Sequence, residues 1–62
     1  MDNKVLFEIG NFWVTCTARG DYEVYENGVC AARKRDTFGK GFPQAFERAK
    51  AAATKRAEAV AA

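Results

Sequence analysis

Apolar and polar positions alternate through the first part of the chain, with Val5, Phe7 and Ile9, then Phe12, Val14 and Cys16, taking every second place. A period of two is that of half-buried β-strands. The alternating runs are broken at Gly10-Asn11, Gly20-Asp21 and Asn27-Gly28, dipeptides that serve two-residue hairpin turns, and Gly39 to Gly41 ends the run. After Pro43 the apolar spacing changes to three and four, through Phe46, Ala49, Ala53, Ala57 and Val60, flanked by Lys50 and Arg56. That is a helical stripe. Composition shifts at the same place, from aromatic and β-branched residues to Ala, Lys, Arg and Glu, and Pro43 suits the first turn of a helix. Strands are predicted at about residues 4–9, 12–18, 22–26 and 29–37, with a helix at about 43–60. The fold expected is α+β: a four-stranded antiparallel β-meander followed by one C-terminal α-helix packed on one sheet face, in a single domain over residues 1–62.

Counting through the turns assigns faces, because paired residues share a face and neighbours along a strand alternate. If each turn holds two residues, Ile9 pairs with Phe12, Arg19 with Tyr22, Cys16 with Tyr25, and Glu26 with Val29. One face then collects Val5, Phe7, Ile9, Phe12, Val14, Cys16, Ala18, Tyr25, Cys30, Ala32 and Phe38, and is expected to be buried. Glu23 is the misfit on it. The other face collects Leu6, Glu8, Trp13, Thr15, Thr17, Arg19, Tyr22, Val24, Val29, Ala31, Arg33 and Arg35.

A chain of 62 residues buries only about 60% of its unfolded surface, so a supplement to the core is expected. Cys16 and Cys30 allow one bridge at most; as neighbours of Tyr25 on opposite sides they would stand too far apart, which predicts two free, buried thiols. With no histidine and two isolated cysteines, no structural metal site is expected, and no cofactor. Oligomerisation is left, and a homodimer is predicted. The lack of His, Ser and a close carboxylate pair removes the common catalytic sets, so no enzyme and no catalytic residue is predicted. No apolar run reaches the roughly 20 residues that span a bilayer, and no secretory segment precedes the first strand, which predicts a cytoplasmic protein without a membrane partner.

The net charge of +2 is small, but Arg33, Lys34, Arg35 and Lys40 cluster around the end of the strand region. On the predicted polar face, Trp13 and Tyr22 are placed to stack on bases, with Arg19, Arg33, Lys34, Arg35 and Lys40 placed to meet phosphates. The leading expectation is therefore a small DNA- or RNA-binding protein. The alternative is a protein-interaction or inhibitory accessory module, of the kind carried by a phage or plasmid, that docks a host protein through Trp13 and Tyr22. A helix of about 20 residues is also longer than these strands, so its last turns are expected to overhang the sheet.

In its order of elements the chain resembles the single-stranded-DNA-binding domain of the positive cofactor four family of transcriptional coactivators, and more distantly the whirly and Pur repeats. Leu6-Phe7-Glu8-Ile9-Gly10-Asn11 looks like that family's opening strand and bend, and Gly39-Lys40-Gly41 like its lysine-glycine entry to the last element. The resemblance implies a dimer that binds single strands on its sheets. Gly41-Phe42 before an alanine-rich helix is similar to the arm-binding domains of tyrosine integrases, and Ala49-Lys50-Ala51-Ala52 to the last helix of double-stranded-RNA-binding domains.

Overall fold

The computed structural model describes residues 4–39 and 43–61. Strand β1 (Lys4–Ile9) reverses through Gly10 and Asn11 into β2 (Phe12–Cys16), with Ile9 opposite Phe12 and Phe7 opposite Val14, as the two-residue turn predicts. Gly10 has φ 57° and Asn11 is not in the positive region, the pattern of a turn with glycine at its first central position. Strands β3 (Tyr22–Glu26) and β4 (Arg33–Phe38) follow, and helix α1 (Gln44–Ala61) closes the chain. The sheet order is β1-β2-β3-β4, all neighbours antiparallel, and α1 packs across all four strands. The meander with one helix on one face is the fold expected from the pattern.

The second and third connections depart from the two-residue reading. Thr17 N–H donates to Asp21 O at 2.8 Å and Gly20 N–H to Thr17 O at 2.9 Å, while Asp21 N–H donates to Thr17 Oγ1 at 3.1 Å. These bonds close a three-residue loop, Ala18-Arg19-Gly20, whose last residue has φ 94°. Gly20 thus takes the left-handed position of a longer hairpin loop rather than the first place of a tight turn. Cys16 therefore lies opposite Tyr22, not Tyr25, and strand β2 ends at Cys16 rather than at 18.

At the third connection Asn27 is held to Asn11, whose backbone carbonyl accepts from Asn27 N–H at 2.9 Å and whose side-chain amide donates to Asn27 O at 2.8 Å. The chain leaves the sheet there, β4 begins at Arg33 instead of 29, and Glu26 faces Arg33.

These shifts exchange two faces of the prediction. Tyr22 and Val24 turn toward α1, and Glu23 and Tyr25 turn away from it. The core is Phe12, Val14, Tyr22 and Val24 from the sheet with Ala45, Ala49 and Ala53 from the helix; Phe7, Ile9, Cys16, Phe38, Phe46, Ala52 and Ala57 border it. Val14, Val24, Ala49 and Ala53 are wholly buried. Small residues on α1 let its axis approach the sheet closely, and the larger Phe46 stands at the rim, its ring 5.5 Å from that of Tyr22. Val60, in the last turn of α1, is exposed.

Both edge strands carry an irregularity. In β1 the register slips between Val5 and Phe7, which sends Val5 to the far face opposite Thr15 and leaves it half exposed instead of in the core. In β4 the slip falls at Arg35, between Lys34 and Asp36. Asp36 faces α1 and accepts from Arg56 Nε at 2.5 Å and Nη2 at 3.1 Å. This bidentate bond holds the Asp36 carboxyl below its ordinary range; burial opposes the shift, and the charges of Arg56 and Arg35 add to it. The two cysteines are free, but neither is fully buried: Cys16 is half-buried beside Tyr22, and Cys30 is exposed in the loop before β4.

Candidate functional site

The sheet face opposite α1 is organised in cross-strand rows. One runs Glu8, Trp13, Tyr25, Lys34 from β1 to β4, and the next runs Val5, Thr15, Glu23, Thr37. Direct cross-strand neighbours stand about 5 Å apart, close enough for large side chains to meet. The Trp13 and Tyr25 rings stack, with centroids 6.2 Å apart and planes 13° from parallel. Such a pair contributes about 0.5–1.5 kcal/mol beyond the area it buries, and it holds both rings in one orientation.

Beneath this pair sits a polar cluster. Glu23 is buried on the face; its Oε1 accepts from the Tyr25 hydroxyl at 2.9 Å, and its Oε2 lies 3.5 Å from Lys34 Nζ. Thr15, opposite Glu23, is also buried, and its Oγ1 has no hydrogen-bond partner among the described residues. A phenol that donates to a carboxylate keeps its proton more tightly. Tyr25 therefore titrates above the ordinary 10, chiefly through that hydrogen bond, then through burial and the charge of Glu23. The raised value means that this contribution to stability is complete below about pH 10 and is lost as pH rises through the folded-state value. Glu23→Gln is expected to bring the Tyr25 titration back down toward 10, followed as phenolate absorbance in a Tyr22→Phe background. An unchanged midpoint would contradict the assigned hydrogen bond.

Of the residues singled out in the sequence, Trp13 and Lys34 come together here, and Arg19, Tyr22, Arg33 and Arg35 do not join them. Tyr22 is a correction: it is buried against α1, between Cys16 and Phe38, so it presents no ring on the far face. Arg35 is bound to Glu26, with Nε at 2.7 Å and Nη2 at 2.6 Å from Oε1, and together with Arg33 it borders the groove under the Gly28–Ala32 loop. Arg33 stands opposite Glu26, in the α1-side column of the register. Arg19 lies in the β2–β3 loop, exposed, 3.8 Å from Asp21. Lys40 falls outside the described residues, as do Gly41 and Phe42 of the quoted motifs. Tyr25, Glu23 and Glu8 are the residues that sequence reasoning missed. The misfit of Glu23 on an otherwise apolar face was the signal that could have found them.

Among the described residues, no group of three or more His, Cys, Asp or Glu side chains is placed to hold a metal ion, and no helix is long and apolar enough to cross a membrane. In comparison with protein families, curated proteins and solved structures, the chain matches no family model, no curated protein and no solved structure.

Proposed function

We propose that the protein works by docking another protein chain on the sheet face opposite α1, with Trp13 and Tyr25 as the central contacts. The observation that carries this reading is the stacked aromatic pair in the middle of that face, between a carboxylate and an ammonium group. Rigid, oriented Trp and Tyr rings with a balanced polar rim are the composition of protein contact centres. A nucleic-acid platform needs a surplus of positive charge around its stacking residues. Here Lys34 shares the face with Glu8 and Glu23, and Arg35 is engaged by Glu26 on the other side. Protein docking therefore ranks ahead of DNA or RNA binding, and a homodimer is one form such docking takes.

A photo-crosslinking side chain at Thr37, exposed on the same face, tests the reading. The expected product is a nuclease-resistant adduct to a protein chain that disappears when Trp13→Ala and Tyr25→Ala are combined. Adducts to nucleic acid alone, or adducts indifferent to that double substitution, would overturn it.

A further inference from the structure

Resting on that reading, we infer that the chain docked on this face is a second copy of the same protein, related by a two-fold axis that runs along the strands between β2 and β3. The row Glu8, Trp13, Tyr25, Lys34 is acidic at one end, basic at the other and aromatic in the middle. The axis turns it end for end. Glu8 then meets the partner's Lys34, and Trp13 meets the partner's Tyr25. In the next row Val5 faces the partner's Thr37, while Thr15 and Glu23, already buried within each copy, line up across the axis, so no like charges are opposed.

The same operator keeps the strands of the two sheets aligned, which is a normal way for sheets to pack face to face. It also makes an isologous contact, as a two-fold dimer requires. Glu8 makes no ion pair among the described residues, and the Lys34 side chain is half exposed beside Glu23, so both are able to reach across.

The sheet edges are poorer candidates for self-association. β1 and β4 each carry a register slip, and they bear Lys4 on one edge and Arg33, Lys34 and Arg35 on the other. Bulges and basic side chains are what keep edge strands from pairing with one another. Exposed on the outer surface of α1 are Glu47, Arg48, Ala51, Lys55 and Glu58, a mixed-charge face that suits water. A face four strands wide and five or six residues long has a footprint of roughly 20 by 20 Å. Two such footprints come to about 800 Å², below the roughly 1,200 Å² where stable interfaces begin, so a weak, concentration-dependent dimer is expected.

Charge reversal tests the two-fold arrangement. Glu8→Lys alone sets the new ammonium group against the partner's Lys34 at both ends of the interface, and Lys34→Glu alone opposes carboxylates there in the same way. Each is expected to weaken self-association at least about tenfold. An equimolar mixture of the two variants restores an oppositely charged pair at both ends of the mixed dimer and is expected to associate more tightly than either variant alone. Sedimentation equilibrium from low micromolar to millimolar protein reads all three, and circular dichroism verifies that each variant is folded. If a variant does not fold, the wild type decides: Trp13 emission is expected to move to the blue as the dimer forms. A wild type that stays monomeric at millimolar concentration overturns the second-copy inference, while a Trp13-dependent adduct to a different protein would leave the docking reading standing. A dimer whose single variants associate normally, or a mixture that associates no more tightly than its components, overturns the operator.

Discussion

Val24→Asp is expected to leave the protein unfolded at 25 °C. Val24 is wholly buried on the sheet face under α1, and its cross-strand neighbours on that face are Val14 and Asp36. A carboxylate placed there has no cation of its own, since Arg56 is already engaged by Asp36, and it adds a second negative charge beside the first. An uncompensated buried charge costs on the order of 3–5 kcal/mol. That is comparable to the whole stability of a small domain, at about 0.05–0.15 kcal/mol per residue. The control is Val29→Asp, at a fully exposed loop position, where a change within about 0.5 kcal/mol is expected. Far-ultraviolet circular dichroism and urea titration separate the two. A folded Val24→Asp with near-native stability would mean that Val24 faces water, as the two-residue turns had placed it.

The second large effect lies on the helix. Ala49→Leu is expected to destabilise by about 1–3 kcal/mol, or to shift α1 off the sheet, because overfilling a packed site forces side chains and backbone to move. Ala49 is wholly buried at the middle of the contact, flanked along the same stripe by the equally small Ala45 and Ala53. Leu and Ala differ little in helix propensity, so the loss reports packing and not helix formation. Ala51→Leu, on the exposed side two residues away, is expected to leave the urea midpoint nearly unchanged. Equal midpoints for the two variants would show that the alanine stripe is not what sets the distance between helix and sheet.

The pairing at Gly10-Asn11 was legible because a two-residue turn leaves no freedom: Ile9 and Phe12 must face each other, and they do. Gly20-Asp21 offered the same kind of dipeptide and misled. Gly20 supplies positive φ in either a two-residue turn or a three-residue loop, and the dipeptide does not say which. The difference shifts the pairing by an odd number of residues, which carries Tyr22 and Val24 to one side and Glu23 and Tyr25 to the other. One residue did carry a warning. Glu23 sat as the single charge on a predicted core face, and the observed register removes it while burying Val24 in its place. The aromatic partner of Trp13 was lost by the same slip, since the candidate site inherits every error in parity between its strands.

By itself the sequence determined the number, kind and order of the elements, because strand alternation, turn residues and a helical alanine stripe are local signals. Only the tertiary structure decided which face of β3 meets the helix, how far β4 slides, and so which aromatic stands beside Trp13. Loop length and bulges are settled by how well whole faces pack against one another, with Val14, Val24, Ala49 and Ala53 together at the centre, and no short stretch of sequence contains that comparison.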